Sequence, residues 1–169
     1  MIKTYFITGA EGVGKTTSLK SLRKKFPEIK IYDFDEIGVP DNPPLQWRFD
    51  TTLFWIKKAI KNQKKGLSTC IIGLSFPSEI KKFKESKKLE EIIFILLDIS
   101  KKERVSRLSM RKASQEVIKD TDQLNKLKKE FSKYKKNKIN TSHLSREEVT
   151  ESLYHLINQS TRNAPSKMA

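Results

Sequence analysis

The chain has 169 residues, a formal charge of +15 from 35 basic and 20 acidic side chains, and one cysteine. That length is one domain able to bury a core without staples. A lone cysteine excludes a disulfide framework, and no stretch approaches the ~18 apolar residues of a membrane span. The start, MIKTYFITG, lacks the basic and long apolar regions of a secretion signal, so a reducing cytoplasm is expected. The positive balance rests on 28 lysines and 7 arginines. Most lysines fall on helix faces predicted to be exposed, which reads first as solvated surface and second as an anion-attracting field. The scarcity of arginine weakens a nucleic-acid reading, because bidentate recognition favours Arg.

Residues 2–8 are apolar and β-rich and read as a first strand. Gly9-Ala10-Glu11-Gly12-Val13-Gly14-Lys15-Thr16 follows, the pattern G-x-x-x-x-G-K-[ST] between a strand and a helix. Gly12 and Gly14 tolerate backbone conformations that bring N–H groups around phosphate oxygens. The helix N-terminus adds a favourable dipole. Lys15 places a charge at the β- and γ-phosphates, and Thr16 offers a hydroxyl to Mg²⁺. Residues 9–17, through Thr17, are thus the candidate nucleotide-binding set.

Residues 15–26 carry Leu19, Leu22 and Phe26 on one face, a helix stopped near Pro27. Residues 29–32 alternate as a second strand, ending at Asp33-Phe34-Asp35-Glu36. Read as extended, Asp33 and Asp35 point the same way. One is suited to orient Mg²⁺ through water and the other to accept a proton from an attacking hydroxyl. The competing reading is a solvated turn with Asp as a cap. Prolines 40, 43 and 44 exclude regular structure before a helix predicted over 45–64. Trp47-Arg48 at its start is a candidate clamp for an acceptor with a ring or an anionic group, or else a core Trp beside a surface Arg.

Residues 69–72 read as a third, buried strand ending at Gly73, and a Lys-rich helix of two or three turns is expected after Pro77. Residues 91–97 are apolar throughout, as in a central parallel strand. Ser100-x-x-Glu103 is a capping box opening a further helix. Arg104, Arg107 and Arg111 lie on and after it, candidates for closing positive charge over a transferring phosphoryl group. Residues 111–120 are polar, the expected lid. A helical stripe over 121–136 and a short fifth strand at 138–140 follow. Asn140-Thr141-Ser142-His143 is a loop candidate for the nucleotide base or a simple cap, and Ser145-x-x-Glu148 is a second capping box. Residues 159–169 are expected to form a flexible tail. Alternating strands and helices imply a three-layer α/β/α fold with a five-stranded parallel sheet, a domain over 1–158 and its site at the carboxyl strand ends.

These motifs resemble the P-loop kinases of small molecules, including nucleoside, nucleotide, shikimate and gluconate kinases. The phosphate loop is the specific match, and the resemblance in element order covers nearly the whole chain. It implies ATP and Mg²⁺ as cofactors, Asp35 as the acceptor-binding base and Asp33 as a water-mediated Mg²⁺ contact. It implies that Arg107 and Arg111 touch ATP phosphates and that the loop with Thr141 and Ser142 lies on the adenine side. Asp35, Trp47, Arg48 and Gly73 form the expected acceptor side. The glycine cluster of shikimate kinases is absent after Gly73, and the acceptor signatures of adenylate and thymidylate kinases are not evident. The expected activity is ATP-dependent transfer to a small acceptor, a nucleoside, nucleotide or hydroxylated metabolite. A regulatory ATPase and a nucleic-acid end kinase or nucleic-acid-binding protein stand as alternatives.

Overall fold

The computed structural model describes residues 1–162. Five parallel strands form one sheet in the order β2-β3-β1-β4-β5: β1 is Lys3–Thr8, β2 Lys30–Asp33, β3 Thr69–Ile72, β4 Glu91–Asp98 and β5 Lys138–Asn140. Register sets Ile7 against Ile72 and Thr8 against Leu96. Side chains of β1 and β3 are buried along their whole length, as expected where helices cover both faces. The helices are α1 (Lys15–Lys25), α2 (Leu45–Gln63), α3 (Pro77–Ile80), α4 (Lys101–Met110), α5 (Gln115–Lys119), α6 (Asp122–Glu130) and α7 (Arg146–Arg162). They complete the three-layer α/β/α arrangement expected from the strand–helix alternation. Among the described residues no helix is long and apolar enough to cross a membrane.

The second capping box forms in full and the first only in half, because the Ser100 N–H donates to Ser142 Oγ and the Glu103 carboxylate holds Arg107 instead. Ser100 Oγ accepts from the Glu103 N–H at 3.2 Å. Ser145 Oγ accepts from the Glu148 N–H at 3.2 Å, while Glu148 accepts from the Ser145 N–H at 2.7 Å. The Ser145 backbone N–H and hydroxyl beside it hold the Glu148 carboxyl below its ordinary range.

Three expectations change. The helix after Pro77 lasts one turn, because Phe83 turns extended and packs edge-on against Phe49, 6.5 Å between centroids. The helix expected to reach residue 136 stops at Glu130. Tyr134 leaves helical geometry to pack on Phe94 and Phe131. The final helix runs to Arg162, four residues into the expected tail, and residues 163–169 of that tail lie outside the described residues.

Gly73 ends β3 with its N–H donating to Ile7 O at 3.0 Å. A Cβ there would lie 2.1 Å from Phe34 Cβ. Its missing side chain is therefore explained by packing against Phe34, which is buried with 2% exposure. Gly73→Ala is expected to destabilise the fold by about 1–3 kcal/mol, as overpacking does. A denaturant titration measures this, and an unchanged midpoint would show that Phe34 can move aside freely.

Candidate active site

The phosphate loop leaves β1 and enters α1. Gly12 and Gly14 have φ of 89° and 95°, left-handed values that the two glycines supply without strain. Lys15 folds back over the loop, its Nζ donating to Gly9 O at 2.6 Å and Ala10 O at 2.9 Å. Burial pushes its ammonium down to about 8, against Glu11, Asp35 and Asp33, which pull it up; nearby Arg104 pushes it further down. Thr16 is exposed at the start of α1. Thr17 is turned back, its hydroxyl donating to Gly14 O at 2.6 Å.

Asp33 and Asp35 arrive beside this loop, but not as an extended pair. Asp33 Oδ1 accepts from the Asp35 N–H at 3.0 Å and caps a 3₁₀ turn over Phe34–Ile37. A short carboxylate competes here for its neighbour's backbone. Asp35 therefore projects from a turn. Its carboxylate is exposed and accepts no hydrogen bond from the described residues. Burial of its surroundings and the neighbouring Asp33 charge raise its pKa, partly offset by Lys15. The turn is pegged by Phe34: Trp55 Nε1 donates to Phe34 O at 2.9 Å, and Trp47 meets the Phe34 ring edge-on at 6.2 Å.

Trp47 is thus engaged in packing rather than free to stack on an acceptor. Arg48 Nη2 pairs with Glu79 at 2.9 Å, and its guanidinium lies 5.3 Å from the Phe76 ring. Lys126 shares the same Glu79 oxygen at 2.8 Å. The clamp expected from Trp47-Arg48 is therefore held closed within the fold. Beside it, Lys81, Lys126, Lys129 and Lys133 line a cavity with Tyr134. Its one acid, Glu130, is engaged by the backbone and hydroxyl of Ser78.

On the opposite side of the loop, a cavity of about 330 Å³ lies between the phosphate loop, α4 and the start of α7. Gly12, Val13, Gly14 and Thr17 form one wall, and Arg107, Met110 and Arg111 another. Leu144, Ser145, Arg146 and Val149 close it. Arg107 is fixed by Glu103 at 2.9 Å and by Thr141 O at 2.7 Å. Arg111 is exposed at the cavity rim. Thr141 and Ser142 do not line the cavity. Thr141 is 0% exposed with its hydroxyl on Asp98 O, and Ser142 Oγ accepts from the Ser100 N–H. They hold β4 and β5 together behind the wall, while Leu144, Ser145 and Arg146 face the cavity. The segment expected as a lid contains α5, docked through buried Ile118.

Among the described residues no three His, Cys, Asp or Glu side chains converge on a metal position. Thr16 and Asp33 line one cavity at the start of α1, where a hydroxyl and a carboxylate oxygen could serve a cation. That fits Mg²⁺ carried largely by phosphate oxygens and water.

No protein-family model and no curated protein sequence matches this chain. Solved structures do. A sugar kinase from a Janibacter species superposes with a TM-score of 0.66 at 15% identity, over 94% of this chain and 95% of the other. The tunicamycin resistance protein of Deinococcus radiodurans gives 0.67 at 18%, over 93% and 96%. The shikimate kinase of Aquifex aeolicus gives 0.58 at 14%, over 95% and 99%. The fold is that of P-loop small-molecule kinases. The two sides of the phosphate loop differ in this chain: a cavity of about 330 Å³ lies beside α4 and α7, and an exposed carboxylate, Asp35, stands beside a pegged turn.

Proposed function

We propose that this protein transfers the γ-phosphoryl group of ATP to a hydroxyl of a small acceptor. The observation that carries the reading is Asp35, an exposed carboxylate, free of hydrogen-bond donors, within the electrostatic reach of the phosphate-loop lysine. A purely hydrolytic site has no need of a second, outward carboxylate; a kinase uses one to accept the proton of the attacking hydroxyl. The base and ribose of ATP would occupy the 330 Å³ cavity against Arg107 and Met110. Lys15 and the loop N–H groups would hold the phosphates. Thr16 and Asp33 would hold Mg²⁺, which when bound neutralises phosphate charge. Arg111 at the rim is placed to follow the phosphates as the 111–120 segment closes.

The acceptor would enter on the Asp35 side, bounded by Trp47, Arg48 and the end of β3. The four lysines around Tyr134 favour an anionic acceptor as a second reading, up to the end of an oligonucleotide.

The test incubates γ-labelled ATP and Mg²⁺ with nucleosides, nucleoside monophosphates, sugars, polyols and a short 5′-hydroxyl oligonucleotide. Label is expected on one small hydroxylated class, and on none with Asp35→Asn. Release of labelled phosphate with every acceptor untouched would overturn the kinase reading in favour of an ATPase. Labelling of the oligonucleotide alone, lost at moderate salt, would favour the polyanion reading.

A further inference from the structure

We propose that Arg104 is a positioning residue that couples phosphate binding at the loop to docking of α5. The inference rests on the reading of Gly9–Thr16 as a polyphosphate site.

Arg104 is 4% exposed, the most deeply buried cation near the loop. An arginine stays charged when buried, and a buried charge is tolerated only when something compensates it. No carboxylate pairs with Arg104 among the described residues. Its two terminal nitrogens donate to Ile118 O at 3.1 Å and Val117 O at 2.9 Å. These carbonyls end α5, where the helix dipole welcomes a cation. Its Nε–H is buried with no partner.

The other end of the same side chain meets the phosphate loop. Arg104 Cγ lies 3.7 Å from where a Cβ on Gly12 would stand. Leu108, one turn along α4, stands beside the same position, its Cγ 3.5 Å from where that Cβ would be. The charge of Arg104 also reaches Lys15. One buried cation thus has two neighbours: the loop that would receive a polyphosphate, and the helix within the expected lid. Arg107 and Arg111 cannot serve this purpose. Arg107 is held by Glu103 and the Thr141 carbonyl, and Arg111 is exposed.

With the loop empty, Arg104 and Lys15 repel each other and neither has a buried acid. A polyphosphate brings several negative charges into that field. Burial of Arg104 then becomes more favourable, and its grip on the Val117 and Ile118 carbonyls tightens. Linkage is reciprocal, so docking of α5 must tighten nucleotide binding by the same factor.

Hydrogen exchange on the full chain tests this, read on segments 9–17 and 113–121 with and without β,γ-imido ATP and Mg²⁺. In the wild type both segments are expected to slow on binding, 113–121 by about tenfold, within the usual range of coupling. In Arg104→Met, 113–121 is expected to exchange fast with or without nucleotide while 9–17 is still protected. Arg104→Lys keeps the charge but not the two-carbonyl fork, and guards against a misfolded Met variant. It should loosen 113–121 in the free protein and regain part of the response on binding. Protection of 9–17 without any change in 113–121 in the wild type would overturn the coupling and leave the phosphate site standing. Undiminished nucleotide-dependent slowing of 113–121 in Arg104→Met would overturn it as well. A wild type in which neither segment responds would remove the polyphosphate reading and the coupling together.

Discussion

Lys15→Met is expected to make the free protein more stable at neutral pH while lowering phosphoryl transfer on the order of 10³-fold. Loss of one preorganised charge at a transferring phosphoryl group has effects of that size. The stability gain follows from the depressed pKa of Lys15, about 8 in the folded chain against an ordinary 10.5. Below pH 8 the amine is charged in both states, and the folded state carries the full penalty of holding that charge under the loop. Between about 8 and 10.5 the unfolded chain binds the proton more tightly, so wild-type stability rises with pH. Above 10.5 the penalty has gone. The Met variant lacks it throughout, so its advantage is greatest below pH 8 and fades across that window. Lys15 is only partly enclosed and its two carbonyl partners lose a donor. The expected gain is therefore about 1–2 kcal/mol at pH 7, or ~2–6 °C in melting temperature for a chain of this length. Thermal melts at pH 7 and pH 10 decide the matter. A destabilised variant at pH 7 would mean that the carbonyl contacts outweigh the buried charge.

Asp35→Asn is expected to lower kcat by about 10²–10⁴-fold, the usual contribution of a general base, with nucleotide affinity little changed. The pH profile carries the sign. Burial and the Asp33 charge raise the Asp35 pKa, so activity should fall on the acid side at a pH above the ordinary aspartate value. Asp33→Asn removes the like charge and should move that limb to lower pH. Asp35→Asn should abolish the limb in whatever activity remains. An acid limb that persists unchanged in Asp35→Asn would assign the proton acceptor to another group.

The strands were legible because each is a short apolar run bounded by glycine, proline or charge, and β4 is apolar throughout. The caps at Ser100 and Ser145 were legible because both partners lie within one turn, although Ser142 and Arg107 take over the return contact expected of Glu103. The phosphate loop was legible because its glycines, lysine and threonine stand in fixed local order. What was hidden depends on distant residues. Asp33 and Asp35 looked extended until the Asp33 carboxylate is seen closing a turn on the Asp35 N–H, a turn held in place by Trp55 and Gly73 from other elements. Trp47-Arg48 looked available until Phe34 and Glu79 claim both side chains. Thr141 and Ser142 looked like the base-side wall, yet the following residues, Leu144 to Arg146, line the cavity. Nothing in the sequence marked Arg104 for burial beside Leu108. An arginine stem packs like a hydrocarbon, and hydropathy does not register it.

The strand order β2-β3-β1-β4-β5 puts the phosphate loop on the middle strand, with the two halves of the proposed chemistry on opposite flanks. The β3–β2 flank carries the turn of Asp35 and the start of α2. The β4–β5 flank carries α4, α5 and the mouth of α7. The exposed positions of segments 34–52 and 73–80 can therefore be varied, while Phe34, Gly73 and Ile80 stay fixed by the core and Ser78 and Glu79 by Glu130 and Lys126 of α6. On the proposed function, a library confined to those exposed positions would sample new acceptors beside an unaltered phosphate loop.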